Sequence, residues 1–276
     1  PKGVMVEHAA VCNTLLWRMK AVSLRSTDRV LLLLSHQFDA GLGVAWTTLT
    51  QGARVVWASD AEVRDPDLLI DLVIAEQITV LPAPPSLLSV LLAHPRFHEC
   101  ADRLEQIWTG GEAMPSDLPA RIRQVTKARF LNFYGPTEAS IQVTAERIES
   151  IDPRRRIPIG REIDGVRVEI VDEQLSPLPP GVPGQIVISG RSLAKGYLNR
   201  PEQTERVFVA SEHIRDSLGE PARIYLTGDL GRRLGDGSIE FLSRMDHQIK
   251  LRGYRIELEE IVRVIQKAPN VERAAV

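Results

Sequence analysis

Asp65-Pro66-Asp67-Leu68-Leu69-Ile70-Asp71-Leu72-Val73-Ile74-Ala75-Glu76-Gln77-Ile78-Thr79-Val80-Leu81 reads as a helix running into a strand. Asp65-Pro66 is a fitting helix start, because the fixed φ of proline suits the first turn, where its missing N–H is not needed. Apolar residues recur at helical spacing through Asp67–Ala75, and Ile78–Leu81 follows as a short β-rich run. The alternation extends in both directions. Val30–Leu34, Arg54–Trp57, Glu105–Trp108 and Ala128–Leu131 read as further strands. Leu42–Thr50, Ser86–Ala93 and Asp117–Val125 read as helices, the last opening at Pro115-Ser116-Asp117. An earlier helix, about His8 to Met19, is expected to cover one face. Strands alternating with helices imply a parallel sheet with right-handed crossovers.

The texture changes after Arg156. Val166–Val171, Gln185–Ser189, Arg223–Thr227 and Ser238–Leu242 are short strands with no long helix between them. Leu178-Pro179-Pro180-Gly181, Gly184 and Gly235-Asp236-Gly237 divide them, the punctuation of antiparallel hairpins and a small barrel. Pro201–Val207 reads as one short helix. From Asp246 the pattern shifts again, to a helix over Glu257–Gln266 and a strand beginning at Val271–Val276. The expected organisation is α/β: a parallel sheet subdomain over residues 1–152, a small antiparallel β-barrel over 153–245, and the start of an α+β lid over 246–276.

Composition supports a large core. Of 276 residues, 43% are hydrophobic and 25% charged, which excludes disorder, collagen and coiled coil. The net charge of −2 carries no basic surplus for nucleic acid. Cys12 and Cys100 cannot build a disulfide scaffold, so a reducing, cytoplasmic setting is expected. Gln77 to Pro95 has no charge but holds Pro82, Pro84, Pro85 and Pro95, which no continuous membrane helix tolerates. No signal peptide is read. The chain opens Pro1-Lys2-Gly3 without a methionine and stops in mid-pattern, so a piece of something longer is expected. Arg154-Arg155-Arg156 reads as a solvated loop.

Three stretches carry chemistry. Asn132-Phe133-Tyr134-Gly135-Pro136-Thr137-Glu138 follows the last strand of the parallel sheet, where ligands of open α/β sheets sit. It offers an aromatic face, a hydroxyl and a carboxylate, though a Gly-Pro turn with incidental polar neighbours would look the same. Tyr225-Leu226-Thr227-Gly228-Asp229-Leu230 ends an expected strand with an acid that could accept both hydroxyls of a ribose, or could sit in an ordinary β-turn. Residues 244–257, Arg244 to Glu257, form a basic, glycine-punctuated junction to the last segment.

In that order the three stretches resemble the adenylate-forming enzymes, the superfamily of acyl-CoA synthetases, luciferases and adenylation domains of nonribosomal peptide synthetases. Pro1-Lys2-Gly3 is similar to the end of that family's phosphate loop. Gly184-Gln185-Ile186-Val187-Ile188-Ser189-Gly190, with Ala194-Lys195-Gly196-Tyr197-Leu198, resembles its barrel motif. Phe38-Asp39-Ala40 resembles the amino-acid-activating members, whose Asp binds the α-ammonium of the substrate. A zwitterion entering a partly dry pocket needs such a counter-charge, although a helix-capping Asp is the plain alternative.

The resemblance implies attack of an amino-acid carboxylate on the α-phosphate of ATP, expelling pyrophosphate. The aminoacyl group then passes to the phosphopantetheine thiol of a peptidyl carrier protein. Glu138 would help hold Mg²⁺, Thr137 would contact phosphate, and Tyr134 would lie against adenine with the Gly110-Gly111-Glu112 backbone opposite. Asp229, assisted by Arg244, would hold the ribose; Lys2 is a further phosphate-side candidate. Asp246 matches the hinge of the lid, and Gly253 would line the pantetheine path. The specificity positions fall on Asp39, Ala40, Gly43, Pro82, Trp108, Gly110, Phe133, Ile141 and Gln142. With Asp39 their one ionised member, a neutral, mainly apolar substrate side chain is expected; plain core packing would also explain Trp108 and Phe133. The family's C-terminal lysine and most of its phosphate loop fall outside these 276 residues, so adenylation by this polypeptide alone is expected to be severely impaired. Partners would include neighbouring synthetase domains, with a small activator protein left open. An acyl- or aryl-CoA ligase on the same fold, and a noncatalytic scaffold, are the competing readings.

Overall fold

The helix that opens at Asp65-Pro66 forms because each end is provided for. Asp65 accepts the Asp67 amide, the proline occupies the first turn, and Leu69, Ile70 and Val73 turn into the core. The computed structural model describes residues 2–35, 37–149, 156–245, 249–251, 254–256, 258–266, 271 and 273. Asp246, Gly253 and nearly all of the strand expected over Val271–Val276 lie outside them.

In chain order, β1 (Val4–Met5) and α1 (His8–Val22) precede β2 (Arg29–Leu32), α2 (Asp39–Thr50), β3 (Arg54–Trp57), α3 (Asp60–Arg64) and α4 (Pro66–Ala75). Then come β4 (Val80–Pro82), α5 (Pro85–Ala93), α6 (His98–Ala101), β5 (Gln106–Gly110), α7 (Leu118–Val125) and β6 (Arg129–Tyr134). A 3-10 turn at Thr137–Ala139 leads to β7 (Thr144–Ile148) and β8 (Arg161–Glu162). These strands make one sheet in the order β3-β2-β4-β5-β6-β7-β8, parallel from β3 to β6 and antiparallel beyond.

Side chains of a strand alternate between faces, and the two cores follow that period. Leu31, Leu81, Ile107 and Phe130 pack against α4, α5 and α7. Val30, Leu32, Val80, Trp108 and Leu131 pack instead with Val22 of α1 and Val44 of α2. Each fully buried aliphatic side chain contributes about 1.5–3 kcal/mol, so both helical layers are held by burial rather than by helix propensity.

The second region runs β9 (Val166–Val171), β10 (Gly184–Gly190), β11 (Gly196–Tyr197), α8 (Pro201–Val207), β12 (Phe208–Arg215), β13 (Pro221–Arg233) and β14 (Ile239–Arg244). Beyond it lie β15 (Ile249–Leu251), β16 (Tyr254–Ile256) and α9 (Leu258–Ile265). The order β12-β13-β10-β9, with β14 also on β13, is antiparallel throughout. No ladder closes it into a barrel among the described residues.

Two expectations change here. β12 is unannounced in the sequence, because Ser211 and His213 interrupt its apolar run; the Ser211 hydroxyl accepts the His213 and Ile214 amides across an irregularity in the ladder. Its turn back is an Asp turn, with Asp216 Oδ1 accepting the Leu218 and Glu220 amides. Asp229, expected at a strand end, lies inside β13, which runs five residues longer on its far side than Gly228. Gly228 takes a left-handed φ of 69°, so the strand kinks without ending.

The two regions meet around the segment after β6. The Thr14 hydroxyl of α1 donates to the Ser140 carbonyl at 2.9 Å, and the Ser140 hydroxyl donates to the Ser192 carbonyl at 2.6 Å. Asn13 donates to the Asp164 carbonyl at 2.8 Å. These bonds hold Thr137 to Gln142 between both sheets.

Candidate functional site

Asp229 is the centre of the candidate site. It is 4% exposed, and its two carboxylate oxygens are taken from two directions. Tyr134, the last residue of β6, donates its hydroxyl to Oδ2 at 2.5 Å. Arg244 donates Nη1 to Oδ1 at 2.7 Å and also to the Thr227 carbonyl at 3.0 Å. The β13–β14 register sets Asp229 directly opposite Arg244, so the ion pair follows from strand pairing. The Thr227 hydroxyl receives the Asp229 amide at 2.9 Å. Burial and the Asp229 charge hold the Tyr134 hydroxyl well above the usual phenol range, so it stays a donor. A carboxylate has about four lone-pair sites, and acceptor capacity therefore remains on Asp229 after both bonds.

Glu138, 1% exposed, sits in the 3-10 turn next to Thr137. Its Oε1 accepts the Tyr197 hydroxyl of β11 at 2.6 Å, and its carbonyl accepts the Ala194 amide at 2.8 Å. Burial raises the Tyr197 hydroxyl above its ordinary value, with the Glu138 charge adding to it. Lys2 lies over the same ring, Nζ 5.5 Å from its centroid. A single carboxylate fits Mg²⁺, which takes one or two carboxylates and completes its shell with phosphates and water. No group of three His, Cys, Asp or Glu side chains poised for a metal occurs among the described residues. Gly110 ends β5 opposite Phe133, and Gly111 and Glu112 form the bend that follows; Glu112 accepts the Ser86 amide at 3.1 Å. A side chain on Gly110 would come within 2.3 Å of the Phe133 carbonyl, so that backbone approach needs glycine.

Several of the expected specificity positions lie on the face of the sheet that α1 and α2 cover. Asp39 is the first helical residue of α2, with Phe38 as the cap residue, and its Oδ1 accepts the Ala40 amide at 2.7 Å. Pro82 pairs with Trp108 across β4 and β5. Trp108 and Phe133 are buried, as core residues are, yet they also flank an ionised group. Ile141 has a φ of 79°, a strained conformation for a β-branched residue, and its side chain would lie only 3.0 Å from a Cβ on Gly43. Gln142 is fully buried and accepts Arg18 Nη1 at 2.6 Å.

Arg18, outside the nine positions, brings a second charge against three of them. It is 3% exposed on α1, with its guanidinium 5.3 Å from the Trp108 ring and 4.9 Å from the Phe133 ring. Burial lowers its pKa to about 10. At the opposite edge of the sheet an open cleft, lined by Asp28, Arg29, Arg54 and Glu105, touches none of these residues.

The AMP-binding enzyme family model matches residues 1–198. The chain belongs to that family. Tyrocidine synthase 3 of Brevibacillus parabrevis is 39% identical over all of the chain, which spans 4% of that protein. Enterobactin synthase component F of Escherichia coli is 36% identical over 99% of the chain, which spans 21% of it. The Vibrio cholerae adenylation domain AlmE, solved with glycyl-adenosine-5'-phosphate, superposes with a TM-score of 0.88 at 28% identity, covering 100% of this chain and 51% of that one. A holo synthetase protein containing adenylation and PCP domains gives 0.87 at 28% identity, covering 99% and 47%. This is an adenylation domain of the nonribosomal peptide synthetase type, and adenylate-forming enzymes use ATP.

Within this adenylation domain, Tyr134, Asp229 and Arg244 form one hydrogen-bonded unit, and Glu138 forms a second with Tyr197. Sequence reasoning passed over Thr227, Tyr197 as a partner of Glu138, and Arg18. Arg18 had a signal: Ala10, Thr14, Arg18 and Val22 are four apart on the buried stripe of α1. No helix among the described residues is long and apolar enough to cross a membrane. Cys12 is exposed and Cys100 buried, its thiol pushed up to about 11 by desolvation.

Proposed function

We propose that the chain activates an amino acid with ATP, giving an aminoacyl-adenylate and pyrophosphate, and delivers the aminoacyl group to the phosphopantetheine thiol of a carrier protein. One observation carries this reading: a buried carboxylate, Asp229, oriented by Tyr134 from one sheet and Arg244 from the other, at the carboxyl end of the parallel strands. Ligands of open α/β sheets bind at that edge. The Asp229 oxygens accept ribose hydroxyls, and Tyr134 offers its ring to the base. Thr137 takes a phosphate oxygen. Glu138 holds Mg²⁺, which neutralises phosphate charge when bound. The Asp39 carboxylate takes the α-ammonium, and the walls at Ala40, Gly43, Pro82, Trp108, Gly110, Phe133, Ile141 and Gln142 take the side chain.

This chemistry is positioning and charge neutralisation more than covalent catalysis by the protein. The relatives support it: one solved neighbour holds glycyl-adenosine-5'-phosphate, and another contains a PCP domain beside its adenylation domain. Amino-acid-dependent ATP–pyrophosphate exchange tests the first half-reaction, and loading of a radiolabelled amino acid onto a holo carrier tests the second. Exchange driven by an aryl or fatty acid, and by no amino acid, would establish the ligase alternative in its place.

A further inference from the structure

Helix α1 carries its buried residues four apart: Ala10, Thr14, Arg18 and Val22. Three suit a helix packed on a sheet, and Arg18 does not. Its contacts are two aromatic rings, Trp108 and Phe133, and the Gln142 side-chain oxygen. All three are neutral. Among the described residues no carboxylate lies within ion-pair distance of Arg18, and the cause of its lowered pKa is desolvation. Two N–H donors of this pair, Arg18 Nε and Gln142 Nε2, are buried without an acceptor. The Gln142 oxygen, the acceptor of the pair, is already used by Arg18 Nη1 at 2.6 Å. The cluster therefore holds a positive charge and a surplus of donors. Ring faces offset part of the lost hydration of a cation, but they supply neither a negative charge nor an in-plane acceptor for Nε.

We propose that Arg18 and Gln142 are the seat of a carboxylate on the substrate side chain, so that the amino acid selected is an acidic one. This rests on the reading above that Trp108, Phe133 and Gln142 border the substrate. A carboxylate accepts through both oxygens, enough for Arg18 Nε and the Gln142 amide together. An amide isostere brings its own donors against them, and an aliphatic side chain leaves both buried and unpaired. The α-ammonium on Asp39 and the side-chain carboxylate on Arg18 would then fix both charged ends of one substrate. This replaces the expectation of a neutral, apolar side chain, which took Asp39 for the one charge at these positions.

The test is isothermal titration of the chain with nonhydrolysable sulfamoyl-adenosine analogues of aspartyl-, glutamyl-, asparaginyl-, glutaminyl-, leucyl- and glycyl-adenylate. The better acidic analogue should bind about 10- to 100-fold tighter than its amide isostere. In Arg18→Met that preference should vanish and the leucyl analogue should gain. Arg18→Lys should keep part of it, since the charge persists without the planar fork. Tightest binding of a neutral analogue to the wild type, or an acidic preference that survives Arg18→Met, overturns the assignment and leaves amino-acid activation standing. Binding of none of the aminoacyl analogues overturns that broader reading as well. Circular dichroism of both variants verifies that they are folded.

Discussion

Two of the buried charges of this domain, Asp229 and Arg18, are housed in opposite ways. Asp229 has a cation on one oxygen and a phenol on the other, with Arg244 and Tyr134 bonded at 2.7 and 2.5 Å. Arg18 has two rings and a neutral amide. Burying a charge is costly unless it is paired and hydrogen-bonded. The first centre meets that condition within the chain, so it is a preorganised frame. The second does not, and its compensation has to come from a ligand. Removing each charge should therefore have opposite signs.

The largest effect belongs to Asp229→Ala. It removes the carboxylate that the Arg244 guanidinium and the Tyr134 hydroxyl share, and breaking a buried pair from one side costs about 3–5 kcal/mol. Urea unfolding should show the loss, and ATP binding should fall with it. A change below about 1 kcal/mol, as for an exposed ion pair, would mean that the centre is solvated and the contrast false.

Tyr134→Phe keeps the ring and removes one donor, so the cost should be that of one bond to a charged group, about 2 kcal/mol. The pH dependence has a definite sign. The folded-state pKa lies above the unfolded value of about 10, so this stabilisation is complete below pH 10 and fades as pH rises through the raised value. Unfolding midpoints measured from neutral pH to above pH 10 should therefore decline less steeply in Tyr134→Phe than in the wild type.

Arg18→Met should go the other way, raising stability by about 1–2 kcal/mol, because a poorly compensated charge gives place to a flexible apolar chain of similar reach. Destabilisation by more than about 2 kcal/mol would show that the ring and amide contacts already satisfy Arg18, and the contrast with Asp229 would disappear.

The Asp229 half of this contrast is legible in the sequence, and the Arg18 half is not. Period and caps place β3 to the residue, α4 to within one and the other parallel strands to within three, since those segments are short, apolar and bounded by turn signals, whereas the antiparallel β7 and β8 go unannounced. Tyr134, Glu138, Asp229 and Arg244 are singled out by motifs, and the structure joins Tyr134, Asp229 and Arg244 by hydrogen bonds. β12 goes unread, because its polar residues make local bonds that period-two reading does not register. The extent of β13 was misread at Gly228, where a left-handed residue bends a strand that looks finished in sequence. Arg18 was missed for a different reason. Aligning specificity positions considers only the segments that carry them, whereas α1 reaches the same place from 90 residues before Trp108. Its charge on a buried stripe is visible only when burial and polarity are read together.

The smallest effect is expected at Gly43. A Cβ there would stand 3.0 and 3.1 Å from the two branches of Ile141, tight contacts against side-chain carbons rather than backbone. The helix gains about 1 kcal/mol from replacing glycine by alanine, and the crowding of Ile141 takes back a similar amount. Net stability of Gly43→Ala should therefore stay within about 1 kcal/mol of the wild type. Ile141 already stands at φ 79°, so a push of a few tenths of an ångström should be taken up by the turn that carries Gln142. Because Gln142 holds Arg18, the substrate side of the comparison should move while the Asp229 side does not. Aminoacyl-adenylate analogues should bind more weakly to Gly43→Ala, with ATP affinity unchanged. Equal weakening of both would mean that the two centres are coupled through the segment after β6, and are not independent sites.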